Sequence, residues 1–279
     1  MAIVSFWSNS ERETGQTLST VATATEMAIE HNNKILIIST GFKEKTIENC
    51  FWDNTKNNEM ETIIGRTNVG LNNGVEGLIK VIQSNRTSTN IVSDYAKVVF
   101  KDRLDILPAP STENIEEYNE ETKVYPQIAK IASRDYDFVF VDIDRNMQEE
   151  DKKAILEQSD IIVITLKQGL VDLNNILNLK ENSELFKKNN VILLAGKYDK
   201  FSKYNVKNMT RYLKETKAIS AISYNTLFFE AAMEGKVADF FLRYRSISDT
   251  TDRNTMFMDE ANKTCENIIF KAQELRMRM

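Results

Sequence analysis

The chain has 279 residues, a formal net charge of −5 and 42% hydrophobic residues. This length fits one large domain or two small ones, and the mild negative charge gives no general electrostatic case for binding nucleic acid. One histidine and two distant cysteines argue against a Cys/His zinc site, and the lack of any run of about 18 apolar residues predicts a cytoplasmic protein without a spanning helix.

Seven short apolar runs predict strands. They mostly lack the alternation of a half-exposed strand, which is typical of strands buried on both faces of a sheet. In chain order the runs are Ala2–Trp7 and residues 35–38, 104–107, 138–142, 161–165, 191–195 and 218–222.

Segments with helical periodicity separate these runs. They are residues 18–31, 74–85, 112–132, 172–186, 204–216, 230–235 and 255–277. Strands that alternate with helices form βαβ units, and right-handed crossovers then place helices on both faces of the sheet. The sequence therefore predicts an α/β fold: a doubly wound, mostly parallel sheet of about seven strands with helices on both faces, in a single domain over residues 1–279.

The loop after the first predicted strand, residues 8–17, has the layout of a phosphate-binding loop: a strand, a polar loop, Gly-x-Thr and then a hydrophobic helix. Gly15 permits close approach of the backbone to a ligand, and Thr17 offers a hydroxyl to Mg²⁺. Gln16 stands where this pattern has lysine, and a neutral donor binds phosphate less strongly than a charged one. The alternative is an ordinary turn with Thr14 or Thr17 near the helix N-cap.

A second landmark is Asp142, in the segment DYDFVFVDIDR of residues 135–145. An aspartate at the carboxyl end of a buried strand lies at the edge where such sheets bind ligands. Its carboxylate is suited to hold an Mg²⁺-bound water. The alternative is an aspartate that caps a turn.

The order of these segments resembles the MinD/ParA-type branch of P-loop ATPases, and within it the CpaE/TadZ-like proteins of pilus assembly. The matching pieces run over nearly the whole chain, and their order is more specific than any one of them. The pieces are residues 3–28, 34–40, 74–82, 103–110, 136–145, 159–173, 189–199 and 221–237.

The resemblance implies a site for ATP or ADP with Mg²⁺. Its nucleotide-binding residues would be Ser10, Glu11, Arg12, Glu13, Thr14, Gly15, Gln16, Thr17, Leu18 and Lys197, and Lys197 or Tyr198 would line the adenine pocket. Its metal-binding residues would be Thr17 and Asp142.

Three departures from the family pattern predict impaired or absent hydrolysis, so no residue is assigned a catalytic role. Glu11 replaces the lysine that reaches the partner's nucleotide in the family's dimers, and Gln16 replaces the phosphate lysine. The second strand ends in Ser-Thr-Gly at residues 39–41, where the family has an acidic residue that orients the attacking water. Phosphoryl transfer relies on positioning and charge stabilisation. Arg12 is an alternative cation, and some CpaE/TadZ-like proteins without the loop lysine are thought to bind ATP.

The resemblance and its departures leave three functions open. The first is a nucleotide-binding, homodimeric scaffold or localisation factor for a pilus or secretion-type machine. The alternatives are an active Mg²⁺-dependent ATPase in positioning or partitioning, and an interaction module that binds no nucleotide. Residues 266–279 are amphipathic and basic, which predicts peripheral contact with the inner face of the membrane. The alternative is a last helix packed on the sheet.

Overall fold

The apolar runs form one sheet in the computed structural model, which describes residues 1–10, 13–53, 74–84, 90–188, 190–247, 249 and 251–277. Its strands are β1 Ala2–Trp7, β2 Ile35–Ser39, β3 Lys97–Phe100, β4 Leu104–Leu107, β5 Phe138–Asp142, β6 Ile161–Leu166, β7 Val191–Tyr198 and β8 Ser220–Ser223. They lie in the order β3-β4-β2-β5-β1-β6-β7-β8. All neighbouring pairs are parallel except β3 and β4, which are antiparallel.

The sheet has eight strands within the described ranges, so the prediction of about seven was low by one. The missed strand is β3, which pairs with β4 at the edge of the sheet. Asp102 turns the chain between them in the left-handed conformation, with φ of 59°. Lys97 and Val98 are exposed, and a short, half-exposed edge strand lacks the apolar run that marks buried strands.

Side chains of the buried strands alternate between two cores, one on each face of the sheet. In β2, Leu36 and Ile38 belong to one core, and Ile35 and Ile37 belong to the other. Because both faces are covered, most positions of such a strand are apolar, and this produced the nearly continuous runs in the sequence.

Helices cover both faces, as the sequence predicted. In the described part of the chain they are α1 Gln16–Glu30, α2 Thr46–Asn49, α3 Val75–Gln83, α4 Ile91–Tyr95, α5 Ile115–Thr122, α6 Tyr125–Ala132, α7 Glu149–Gln158, α8 Leu170–Asn182, α9 Val206–Tyr212, α10 Thr226–Met233, α11 Val237–Tyr244 and α12 Arg253–Met277. A 3₁₀ turn follows α8 at Glu184–Lys188. Helices α1, α10, α11 and α12 pack on one face, and α3, α6, α7 and α8 pack on the other.

Several helix boundaries differ from the prediction. The single helix predicted over residues 112–132 is two helices, α5 and α6, with Pro126 in the first turn of α6. Proline has no amide hydrogen and is favoured at a helix start, where no hydrogen bond is lost. Helices α2, α4, α7 and α11 were not predicted. The predicted helix 74–85 corresponds to α3, and its last residue lies outside the described residues.

The C-terminal helix α12 packs on the sheet and on α1. Phe257, Cys265 and Ile268 belong to the core on that face, and Phe270 and Met277 are exposed. The peripheral membrane contact predicted for residues 266–279 stays a prediction, and residues 278 and 279 lie outside the described residues. Ile268, Ile269 and Leu275 of this segment pack against the core, which agrees with the alternative of a last helix packed on the sheet. Within the described ranges, no helix is long and apolar enough to cross a membrane.

Candidate functional site

A cavity of about 270 Å³ lies at the carboxyl edge of the sheet. It lies beside β1, which is flanked by β5 and β6. The strand order changes direction there, and doubly wound sheets bind ligands at such a switch point. The predicted site residues that line the cavity are Ser10, Glu13, Thr14, Gly15, Gln16, Thr17, Leu18, Asp142 and Lys197. Glu11 and Arg12, also predicted, lie outside the described residues.

Eight further residues line the cavity and were not among the predicted site residues. They are Trp7, Ser8, Glu44, Thr46, Ile143, Asp144, Arg145 and Phe229. Most of them end a strand or follow it directly, and parallel strands bring their carboxyl ends to the same edge. Applied to β5, that rule identified Asp142 from the sequence. Applied also to β2 and β8, the same rule would have identified the segments after those strands, which contain Glu44 and Phe229.

Gly15 positions the loop at the start of α1. It is the N-cap residue, in the left-handed conformation with φ of 80°, and among the described residues no side chain forms a capping hydrogen bond at this helix start. The cavity therefore borders a helix N-terminus whose amide groups and dipole favour an anion. Thr14 precedes this N-cap residue and Thr17 lies in the first turn of α1, so the alternative of an ordinary turn with Thr14 or Thr17 near the N-cap stays open.

Gln16 and Thr17 bind the buried carboxylate of Asp142. Gln16 Nε2 donates to Asp142 Oδ1 at 2.8 Å and to the carbonyl oxygen of Ile143 at 2.9 Å. Thr17 Oγ1 donates to Asp142 Oδ2 at 2.8 Å. Burial raises the pKa of Asp142 to about 6, against the opposing effect of the hydrogen bonds from Gln16 and Thr17.

Thr40 connects the end of β2 to the segment after β5. Its hydroxyl donates to the carbonyl oxygen of Asp142 at 2.8 Å and accepts from the amide of Asp144 at 2.8 Å. Tyr118 donates its phenol hydrogen to the carbonyl oxygen of Thr40 at 2.7 Å. The strand end where the family pattern has an acidic residue thus carries a buried hydroxyl with a structural role. Besides Asp142 and the loop residue Glu13, two further carboxylates line the cavity, those of Glu44 and Asp144.

Lys197 was predicted to line an adenine pocket, and it borders the cavity against the loop. Its Nζ donates to Glu13 Oε2 at 3.0 Å. A Cβ placed on Gly15 would lie 2.9 Å from Lys197 Cγ, so the lysine stem contacts the loop backbone. On the other wall, Arg145 Nη2 lies 4.0 Å from Glu44 Oε1. The cavity therefore holds positive charge next to the helix start even though residue 16 is neutral.

Thr17 and Asp142 fit the metal role that the sequence predicted for them. Their oxygens are adjacent, and Mg²⁺ prefers one or two protein oxygens completed by waters and phosphate. The described residues contain no group of three or more His, Cys, Asp and Glu side chains that could form an all-protein metal site. A divalent ion here would therefore be held by this pair together with a ligand.

No protein-family model matches the sequence, and no curated protein matches it. Solved structures do match. A ParA-family ATPase from Chlorobium tepidum TLS is 15% identical, with a TM-score of 0.67, over 93% of this chain and 98% of that chain. The septum site-determining protein MinD from Pyrococcus horikoshii OT3, solved with Mg-ADP, is 14% identical, with a TM-score of 0.64, over 97% and 98%.

A third match is a putative plasmid partition protein from Borrelia burgdorferi B31 bound to AMPPNP. It is 17% identical, with a TM-score of 0.61, and the match covers 98% of each chain. The similarity is one of strand and helix arrangement, and it extends over nearly the full length of this chain and of each matched chain. The chain therefore has the fold of the ParA and MinD P-loop ATPases.

Proposed function

We propose that this protein binds a nucleoside di- or triphosphate with Mg²⁺ in the cavity beside β1 and acts as a nucleotide-dependent positioning or partitioning factor. The observation that carries the proposal is the meeting of three elements at the switch point: an uncapped helix N-terminus at Gly15, the Thr17–Asp142 pair, and Lys197. Similarity in fold to MinD and ParA-family ATPases supports the same function.

The loop residues would hold the phosphate groups through backbone amides. Gly15 has no side chain to block a close approach, and α1 has no acidic residue in its first turn to repel an anion. Thr17 and Asp142 would hold Mg²⁺, which neutralises phosphate charge when it is bound. The hydrogen bond from Thr17 Oγ1 to Asp142 Oδ2 holds these two oxygens 2.8 Å apart.

Turnover should be slow. Gln16 brings no charge, and its amide group is already bonded to Asp142 and Ile143. A missing charge-stabilising group typically costs roughly 10²–10³ in rate. Asp144 and Glu44 supply carboxylates at the cavity wall, and they are the candidates for orienting a water. We infer a nucleotide switch with weak hydrolysis.

A second candidate is a scaffold that holds nucleotide without splitting it, for a pilus or secretion-type machine. The engagement of Gln16 by Asp142 favours it, because a neutral side chain bonded within the protein contributes little to a charged transition state. The two candidates share the binding step and differ in turnover, so phosphate release by the pure protein separates them.

The test is equilibrium dialysis with labelled ATP and Mg²⁺, joined to a phosphate-release assay and thermal unfolding. Ligand at 100 times its Kd should stabilise the fold by about 2.7 kcal/mol, which raises Tm by roughly 5 °C or more. Thr17→Ala should remove the Mg²⁺-dependent part of this shift, because it deletes one of the two metal oxygens.

Thr25→Ala is the matched control for the variant at Thr17. Thr25 lies in the same helix and donates to the carbonyl oxygen of Val21 at 2.8 Å, within the core. It should keep the full Mg²⁺-dependent shift. Absence of any ATP-dependent shift in the unmodified protein would contradict the proposal and favour an interaction module that binds no nucleotide.

A further inference from the structure

Lys197 lies where the sheet brings β7 against the phosphate loop. The pairing of β7 with β8 is irregular between Ala195 and Tyr198, and Lys197 adopts the left-handed conformation with φ of 50°. Residues other than glycine, asparagine and aspartate rarely adopt this backbone conformation. The neighbouring Gly196 lies under the loop, since a Cβ there would be 2.2 Å from the carbonyl oxygen of Thr14.

The ammonium group of Lys197 is paired with a carboxylate of the loop itself. Lys197 Nζ lies 3.0 Å from Glu13 Oε2, and the two side chains are 42% and 77% exposed. The hydrogen bond and charge of Lys197 lower the pKa of Glu13, with smaller contributions from Arg145 and Lys167. Glu13, a residue of the loop, thus pairs its carboxylate with the Lys197 ammonium group at the border of the cavity.

This ion pair is weak enough to exchange. Exposed ion pairs contribute little to stability, whereas a phosphate group carries more charge and more acceptor oxygens than a carboxylate. Among the described residues that line the cavity, Lys197 and Arg145 are the basic ones. Of these two, Lys197 has its stem against Gly15, at the start of α1.

We propose that Lys197 is the phosphate-binding cation of this cavity, in place of a lysine at position 16, and that Glu13 occupies it until a phosphate group arrives. This inference rests on the proposed nucleotide binding and adds the identity of the cation and of its resident counter-ion. A lysine at the end of β7 thereby replaces one contributed by the loop.

The experiment measures the affinity for Mg-ATP by equilibrium dialysis for the unmodified protein and for five variants. Lys197→Gln should weaken binding by about tenfold or more, because hydrogen bonds to charged groups contribute roughly 1.5–3 kcal/mol. Glu13→Gln should strengthen binding by about two- to fivefold, because it removes the competing carboxylate. The two changes act in opposite directions, so a general loss of folding cannot produce both.

Lys187→Gln is the matched control. Lys187 is also an exposed lysine in an ion pair, with Glu184 at 2.5 Å, but it lies before the amino end of β7. It should leave the affinity unchanged. In the double variant Lys197→Gln with Glu13→Gln, the gain from Glu13→Gln should disappear, because no ammonium remains for the carboxylate to occupy.

The variant Arg12→Gln tests whether Arg12, rather than Lys197, supplies the positive charge that binds the phosphate groups. If Arg12→Gln weakens binding and Lys197→Gln does not, the inference is overturned while nucleotide binding stands. Equal affinity of the unmodified protein and Lys197→Gln overturns it as well. If the unmodified protein binds neither ATP nor ADP, the proposed function fails, and the inference fails with it.

Discussion

At the scale of single residues, two glycines allow the loop to lie against the end of β7. A Cβ on Gly196 would lie 2.2 Å from the carbonyl oxygen of Thr14 and 3.0 Å from Thr165 Cγ2. A Cβ on Gly15 would meet the stem of Lys197. The loop can therefore lie this close to β7 only because residues 15 and 196 have no Cβ atom, so that the backbone itself makes the contact.

Gly196→Ala should push the loop away from β7. We expect the free energy of unfolding to fall by about 1–3 kcal/mol, as for other overpacked sites, and nucleotide affinity to fall with it. Urea unfolding and equilibrium dialysis measure the two effects. Gly169→Ala is the control, because its nearest neighbour, Asp172 Oδ2, would be 3.7 Å from the new Cβ. Equal effects of both substitutions would refute this account of the loop.

At the scale of elements, α1 begins at the Gly-x-Thr loop and packs against the C-terminal helix α12. Cys265 Sγ of α12 donates to the carbonyl oxygen of Thr23 in α1 at 3.2 Å. Glu26 of α1 is only 3% exposed, and its Oε2 has no hydrogen-bond partner in the structure as described. Burial, and then repulsion by Glu30, raises the pKa of Glu26 to about 8, with partial compensation by Arg245.

This raised pKa predicts the sign of a pH effect on stability. The folded protein binds the Glu26 proton more tightly than the unfolded chain does, so the contribution of Glu26 to stability is complete below pH 4.5 and is lost as the pH rises through about 8. Glu26→Gln keeps the shape and never ionises. It should raise the free energy of unfolding by about 1–3 kcal/mol at pH 9, with a smaller gain at pH 6.

Urea unfolding between pH 6 and pH 9 measures this difference. Glu266→Gln, at an exposed position of α12, should show no such growth with pH. A gain for Glu26→Gln that stays constant over this range would mean that the buried carboxyl does not titrate as proposed.

At the scale of the whole molecule, exposed apolar side chains lie beside the cavity. Tyr224 and the α10 residues Leu227, Phe229 and Met233 are all exposed, and Phe229 also lines the cavity. Tyr224 and Phe229 contact each other, with ring centroids 6.1 Å apart. Aromatic residues and methionine are enriched in protein interfaces. The homodimer predicted from the sequence therefore has a candidate surface next to the cavity.

We expect the protein to form dimers in the presence of Mg-ATP and to remain monomeric without it. Leu227→Glu should prevent dimer formation by placing an unpaired charge in the interface, as measured by light scattering after size-exclusion chromatography. Phe270→Glu is the control: Phe270 is 57% exposed and contacts Lys217, before the amino end of β8. Dimers that survive Leu227→Glu would exclude this surface.

Much of the fold could be predicted because its signals are local. The runs that became β1, β2, β5 and β6 are continuous and apolar, since both faces of each strand are covered. The edge strand β3 could not be predicted in this way, because a strand with one neighbour and exposed side chains resembles a loop. Likewise, the break between α5 and α6 leaves the helical periodicity nearly intact.

The sequence by itself determined the alternation of strands and helices, the Gly-x-Thr loop after β1 and the aspartate at the end of β5. Each of these is encoded within a few neighbouring residues. Only the tertiary structure decided where the charges of the site come from. Gln16 bonds Asp142 from 126 residues away, and Lys197 pairs with Glu13 across 184 residues. Such contacts depend on which strands become neighbours in the sheet, and no local pattern records that order.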